Sequence, residues 1–348
     1  MRTTIKDIAN KTNLSITTVS LVLNNKESKI SEKTKQLVLQ TAKELNYRPN
    51  QLAIGLVKRH TQTIGLILPD ITNFFFAELA KAVEDETAKN DYNMILCNSG
   101  NQYERDLKNI DMLIDKGVDG IILAAANDCG EQEMEDACRT AERSGVSLVM
   151  IDRHFGIKGV GSVSLDNAAG GYLAVKHLID NGHVNIGFIT GPITVPFSRE
   201  RMLGVRRAMA EAGLPVNEAW CFEGDFQFSG GLRAAEYFYG SEVTAVFAFS
   251  DVMAISFIRR SQELDVRVPQ DVSVIGFDDI SLAQLMSVTT VHQPIYEMGA
   301  SAAQMIVKAV EGQGDTVHKI FIPSLMARAT TMQQPQPEKD IPDITAIP

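Results

Sequence analysis

The chain has 348 residues, 45% of them hydrophobic and 22% charged, with a formal net charge of −10; this is enough for more than one domain and ordinary for a soluble globular protein. No stretch approaches the roughly 18 uninterrupted apolar residues that span a bilayer, and "MRTTIKDIAN" has no apolar signal core, so neither a membrane protein nor an exported one is expected. Cys97, Cys129, Cys138 and Cys221 show no CxxC or other zinc spacing, which points to reduced thiols in a cytoplasmic protein and to no metal site.

The average charge hides an asymmetry. Residues 1–60 hold 11 Lys/Arg against 4 Asp/Glu, and the remainder holds 22 against 39, so a head of +7 precedes a body of −17. A basic head on an acidic body suggests that the head alone meets a polyanion, although a solvated basic face would show the same charge.

"TIKD" opens the first helix. Thr4 can cap it and Asp7 can reach back, as in a capping box, with Ile5, Ile8 and Ala9 on one face. Asn13 falls in the turn, where a left-handed conformation is tolerated by few residues other than Gly. Ser15 caps a second helix, predicted over residues 16–23, with Val19, Val22 and Leu23 inward and Ile16, Thr17, Ser20 and Leu21 on the other side. Ser31 caps a third, predicted over 32–46, with Leu37, Val38, Ala42 and Leu45 inward.

Three short helices with a tight turn between the first two make a helix-turn-helix unit. Small hydroxylated side chains let the backbone of a recognition helix approach DNA. Thr18 and Ser20 can donate to phosphates, Ile16, Thr17 and Leu21 face base edges, and the two aliphatic ones can touch thymine methyl groups. Pro49 stops the third helix. Leu52, Ala53 and Leu56 then lead to the basic cluster Lys58, Arg59 and His60.

"TIKDIANKTNLSITTVSLVLN", followed by "ISEKTKQLVLQTAKELNYRPNQLA", closely resembles the lactose-repressor (LacI/GalR) family of bacterial transcription regulators, and the resemblance runs to about Thr331. It implies a dimer on a pseudo-palindromic operator, with Thr4, Ser15, Ile16, Thr17, Thr18, Ser20, Leu21, Asn24, Ser31, Thr34, Tyr47, Asn50, Ala53 and Leu56 as the DNA-contacting set. In the family the hinge folds on the operator and a leucine, here matched by Leu56, wedges into the minor groove. The chain departs from the pattern at Ile54, which stands where an arginine is usual, and at Gly55, which costs about 1 kcal/mol of helix propensity. Leu21 stands at a base-reading position often held by arginine or histidine, which implies a different operator.

From Thr63 on, apolar runs alternate with amphipathic helices: "TIGLILPD", "YNMILCN", "VDGIILAA" and "VSLVMID", then, after a restart, "VNIGFITG", "TAVFAFSD" and "VSVIGFDD". This is an α/β pattern of two doubly wound parallel-sheet subdomains. The expected divisions are a head at 1–48, a hinge at 49–60, a body at 61–332 and a flexible tail at 333–348. Within the body, subdomain one takes 61–162 and 292–322, and subdomain two takes 163–291 and 323–332. A late helix, about 298–311, returns to subdomain one. The resemblance implies the periplasmic-binding-protein architecture, with a ligand between the subdomains. The proline-rich tail "QQPQPEKDIPDITAIP" carries no leucine heptad, which favours a dimer over a tetramer.

Open α/β sheets bind ligands beyond the carboxyl ends of their strands. The residues there are Asn73, Phe75 and Phe76, Asp152 and Arg153, Thr190, Phe226, Ser250 and Asp278, with Arg201 opening the next helix region. Carboxylates, an arginine and aromatic faces suit sugar hydroxyls and sugar rings, although Phe76 and Phe226 would serve equally as core aromatics. By resemblance, Arg201 and Asp278 match the family's most consistent effector contacts, and Asp152, Phe76, Phe226 and Ser250 match further pocket positions. Asp251 and Asp279 read as helix caps. "GDFQFSGG" with "LILPDITNFFFAE" most resembles the ribose-repressor branch, so a pentose inducer is favoured, with hexoses and sugar acids next. A purine corepressor fits less well, because Val195 offers no polar group where purine-responsive members have an arginine. A phosphosugar or phosphoprotein corepressor stays open. No cofactor is expected. An enzyme is not expected either, since no GxGxxG follows a strand and no P-loop, GxSxG elbow or metal-spaced histidines occur.

Overall fold

Helix α1 (Ile5–Thr12) begins at Thr4, whose N–H and hydroxyl both donate to Asp7 Oδ2, at 2.7 and 2.8 Å. Those bonds, the backbone one first, hold the Asp7 carboxyl below its usual range. Asn13 ends the helix in the left-handed region at φ 56°, as its place in the turn predicts. Helix α2 (Ile16–Leu23) starts at Ser15, whose hydroxyl accepts from the Thr18 N–H at 3.0 Å. Helix α3 (Glu32–Glu44) starts at Ser31, which accepts from the Thr34 N–H at 3.2 Å. Ile8, Ala9, Val19, Val22, Val38 and Ala42 form the head's core. Leu37, expected inward, is 47% exposed; Val38 takes the inner position, and one helical step of about 100° turns its neighbour outward. Helix α3 stops at Glu44, short of the expected end, because Asn46 turns left-handed at φ 46°.

The structure is a computed structural model that describes residues 3–24, 30–47, 60–153, 155–314 and 316–334. The chain separates into two units, Met1–Thr61 and Gln62–Pro348. The hinge candidates Asn50, Ala53 and Leu56, with Ile54 and Gly55, lie outside the described residues, as does most of the expected tail.

The second unit is built on two six-stranded sheets. One contains β1 (Thr63–Leu68), β2 (Asn93–Asn98), β3 (Gly120–Leu123), β4 (Ser147–Ile151) and β5 (Gly161–Leu165). The other contains β6 (Ile186–Thr190), β7 (Cys221–Glu223), β8 (Ala245–Ala248), β9 (Ser273–Asp278) and β10 (Thr289–His292). Late in the chain, β11 (His318–Phe321) joins the first sheet and β12 (Ser324–Met326) the second. The orders are β11-β5-β4-β3-β1-β2 and β12-β10-β9-β8-β6-β7. Every pairing is parallel except that of β12 with β10. Buried runs such as "TIGLIL" suit strands covered on both faces.

The connecting helices are α4 (Phe74–Lys89), α5 (Tyr103–Asp115) and α6 (Glu131–Arg143) in the first half, and α7 (Asn167–Asp180), α8 (Pro196–Glu211), α9 (Phe228–Phe238), α10 (Asp251–Glu263) and α11 (Ser281–Leu285) in the second. Helix α12 (Ile295–Val310) returns to pack on α4 and on β3 to β5, as the late helix was expected to do. The first crossing between the halves falls after Leu165 rather than at 162, because β5 pairs with β4 and β11 in the first sheet. Helices α7 and α8 pack so closely that a Cβ on Gly171 would stand 2.1 Å from the Arg201 carbonyl oxygen. This backbone contact sets the position of Arg201.

Candidate functional site

The head presents one face of α2. Ile16 is 49% exposed, Thr17 is exposed, and Ser20 and Leu21 are half-buried. The hydroxyls are less free than expected. Thr18 Oγ1 and Ser15 Oγ share a hydrogen bond of 2.8 Å, Ser20 Oγ accepts from Asn24 Nδ2 at 3.2 Å, and Ser31 Oγ and Thr34 Oγ1 lie 2.8 Å apart. Ser15 and Ser31 are thus engaged as caps, and Thr18, Ser20 and Thr34 bond to residues three or four away in the chain. Tyr47 packs at the edge of the head's core, and Thr4 is exposed at the start of α1.

In the second unit, strand ends from both sheets converge on a cleft. Asn73, Phe75, Phe76, Asp152, Arg153, Arg201, Phe226, Ser250 and Asp278 all line it. Thr190 does not line it: it is buried at the last position of β6, and its carbonyl accepts from the Gly224 N–H at 2.9 Å. Val195 is buried before α8 and does not line the cleft either, so its apolarity decides nothing about a purine there.

The aromatic candidates have two roles at once. Phe75 and Phe76 are buried edge-to-face, centroids 5.1 Å apart, and both reach the cleft. Phe226 sits in the left-handed region at φ 60° and its ring lies 5.2 Å from that of Phe197. Asn73 caps α4 by accepting from the Phe75 N–H at 3.1 Å, and Ser250 caps α10 by accepting from the Met253 N–H at 3.3 Å. Ser250, not Asp251, is therefore the cap. Asp251 is wholly buried and accepts from the Ile280 N–H at 3.0 Å and the Thr290 hydroxyl at 2.6 Å. Asp279 caps nothing: it binds His292 Nδ1 at 2.9 Å and Arg328 at 2.6 Å.

Two arginines are buried in the cleft wall. Arg201, in α8, donates through Nε to Asn167 Oδ1 at 2.9 Å and through another nitrogen to the Phe249 carbonyl. Arg153 donates to the Ala125 carbonyl and lies 3.8 Å from Asp152 Oδ2. The Phe197 ring stands 5.3 Å from both guanidinium carbons. Burial pushes Asp152 up, opposed by Arg153 and Arg201. Burial also pushes Asp278 up to about 7, opposed by Arg201 and by a 2.6 Å hydrogen bond from Gln293 Nε2. Among the described residues, Asn127 Oδ1 and Gln293 Oε1 are buried at this cleft without a hydrogen-bond partner, and Arg153 Nε has only the ion pair with Asp152. Among the described residues no His, Cys, Asp and Glu cluster could hold a metal ion.

Phe197, Gln293, Asn101, Asn127 and Asp225 also line the cleft and were not anticipated. The strand-end rule points to Gln293, one residue past β10, but "TTVH" is too short and hydroxyl-rich to read as a strand. Phe197 lies in the first turn of α8, where sequence does not say which way a ring turns.

Residues 4–50 match the family described as bacterial regulatory proteins, lacI family, and residues 175–331 match the periplasmic binding protein-like domain. The HTH-type transcriptional repressor PurR of Vibrio parahaemolyticus is 39% identical over 313 residues, covering 88% of this chain and 92% of its own. Catabolite control protein A of Priestia megaterium is 36% identical over 313 residues, with the same 88% and 92% coverage. A solved LacI family transcriptional regulator from Enterococcus faecium with bound ribose is 28% identical, with a TM-score of 0.71 over 78% of this chain and 100% of that one. Among the described residues no helix is long and apolar enough to cross a membrane. With a helix-turn-helix head, a two-sheet body and regulators rather than enzymes as its relatives, the chain belongs to the lacI family of bacterial DNA-binding transcriptional regulators.

Proposed function

We propose that the protein is a cytoplasmic homodimeric repressor of carbohydrate-utilisation genes, released from a pseudo-palindromic operator when a small sugar, foremost a pentose such as ribose, enters the cleft. One observation carries this reading. The buried carboxylate of Asp278, the half-buried one of Asp152, the buried Arg153 and Arg201 and the rings of Phe75, Phe76, Phe197 and Phe226 share one cleft. Hydroxyls need donors and acceptors at fixed positions, and the faces of a sugar ring need apolar contact. The ribose-bound neighbour supports a pentose. On the DNA side, two heads of a dimer would read two half-sites, with Ile16, Thr17 and Leu21 at the bases and the basic surroundings on phosphates.

A second reading is a purine corepressor that promotes DNA binding. The four phenyl rings would flank a planar base equally well, and PurR proteins stand among the relatives. The test is a thermal-shift panel on the full chain with ribose, other pentoses, hexoses, sugar acids, purines and phosphosugars. The sugar reading expects a stabilising shift from a free sugar that Asp278→Asn abolishes. A shift from a purine alone would replace it with the second reading, and a response to none would point to a protein corepressor.

A further inference from the structure

Helix α11 is five residues long, begins after Ile280 and has no side-chain cap from its own N-terminal neighbour. The amides of its N-cap residue and of its first residue are nevertheless held, by carboxylates from the two halves of the body. The buried Asp251, in α10 of the second half, accepts from the Ile280 N–H at 3.0 Å. Glu78, in α4 of the first half, accepts from the Ser281 N–H at 2.8 Å. A helix this short keeps most of its leading N–H groups unsatisfied unless something outside it accepts them, and here part of that role falls to the other subdomain.

The same junction touches the ligand site. Asp251 and the cleft-lining Asp278 interact electrostatically, and Asp278 ends the strand that leads into α11. Gly276 makes the room: a Cβ there would stand 2.2 Å from Asp251 Oδ1. At its far end, α11 exposes Leu285 at 82% and is followed by the exposed Met286. A second link between the halves, the Phe197 ring beside the Arg153 guanidinium, lies at the cleft wall.

We propose that Glu78 is a cross-cleft clasp. Its bond to Ser281 forms when the two halves close and breaks when they part, so the first turn of α11 registers closure. Asp251 ties that same turn to the ligand site. Glu78 acts as a positioning residue and touches no ligand. The inference rests on the reading of the cleft as an effector site, and it adds that the two halves open and shut and names the contact through which closure is held.

The test is hydrogen–deuterium exchange on the full chain with no ligand added, comparing wild type, Glu78→Ala, Glu78→Gln and Ser281→Pro. Proline is favoured at the first position of a helix, and Ile280 at φ −63°, ψ 156° already has the backbone that a following proline requires. Ser281→Pro therefore removes the donor while leaving the helix and Glu78 in place. Glu78→Ala is expected to raise exchange over 282–286 and also over the remote cleft segment 193–198, each by about tenfold, the order that a hydrogen bond to a charged acceptor supports. Ser281→Pro should reproduce the effect at 193–198, and Glu78→Gln, which keeps an accepting oxygen without the charge, should restore part of the protection at both segments. Faster exchange confined to α11 would reduce Glu78 to a local cap and overturn the clasp. Unchanged exchange everywhere would overturn it too. Because no effector is used, either result leaves the choice between sugar and purine untouched, and an empty ligand panel would leave the clasp result standing.

Discussion

The guanidinium carbon of Arg201 stands 3.6 Å from the centre of the Phe277 ring. The arginine is 3% exposed, a costly place for a charge. It is held there by the ring face, by Asn167 Oδ1 and the Phe249 carbonyl, and by the field of Asp278 and Asp152. A planar, weakly hydrated cation suits that mixture of stacking and directed hydrogen bonds, and a lysine ammonium does not.

Arg201→Lys should therefore behave as a severe change. It keeps the positive charge but loses the planar stack on Phe277 and the paired hydrogen bonds to Asn167 Oδ1 and the Phe249 carbonyl, a loss of about 2 kcal/mol or more for hydrogen bonds made by a charged donor. Urea unfolding should show a lower midpoint for the body, and the ligand-induced thermal shift should vanish. A variant as stable and as responsive as wild type would contradict the role assigned to the stack.

Ligand binding should depend on pH through Asp278. Its folded pKa, about 7, lies above the ordinary 3.8 because burial disfavours the charged form. Between those values the native state holds a proton that the unfolded chain has released. The stability this group contributes is thus fully present below about pH 4 and is lost as pH rises through about 7. A ligand that donates hydroxyls favours the ionised carboxylate and displaces the proton. Affinity should then rise between pH 6 and 8, with proton release visible as a buffer-dependent calorimetric enthalpy. Titrated over the same range, Asp278→Asn should show neither the binding nor the proton release.

The crossing of α7 and α8 should tolerate no side chain. Gly171→Ala sets a methyl 2.1 Å from the Arg201 carbonyl oxygen, and Gly204→Ala sets one 2.0 Å from that of Ala168. Both obstacles are backbone, so the helices must part. Each variant should lose about 3 kcal/mol, the upper end for overpacking, and Gly171→Ala should also weaken ligand binding by displacing Arg201. Denaturation and ligand titration on the same samples check both effects.

Ser15→Ala should act on the head alone. It removes the acceptor of the Thr18 N–H and the partner of the Thr18 hydroxyl, worth about 1 kcal/mol for a lost N-cap. Exchange at Thr18 and Val19 should quicken and operator affinity should fall. The thermal transition of the body should not move, because the head is a separate unit.

Much of this architecture was legible because its signals are local. The caps Thr4, Ser15 and Ser31 and the turn residue Asn13 are single-residue decisions, and all four appear as expected. The strands "TIGLIL" and "SVIGFD" are apolar runs with helical patterns between them. By contrast, β5 reads "GSVSL" and β10 reads "TTVH"; they are strands because neighbours on both sides pair with them, which no local pattern encodes. The cleft was legible for the same reason as the strands: residues just past an apolar run sit at a sheet's carboxyl edge. The rule gives position and not direction. It therefore included Thr190, whose place is taken up by the β6 edge, and missed Phe197, whose ring reaches the cleft from a helix. Glu78 and Ser281 are 203 residues apart, and nothing in either segment announces the other.

The most direct test couples the two ends of the molecule. An operator is first selected from random duplex DNA with the full chain, and its affinity is then measured with and without the ligand that the thermal-shift panel identifies, for wild type and Asp278→Asn. The account predicts that a free sugar weakens operator binding by at least tenfold, on the order of a typical coupling free energy, and that Asp278→Asn binds the operator normally but no longer responds. Operator affinity that ignores the cleft ligand in the wild-type protein would contradict it.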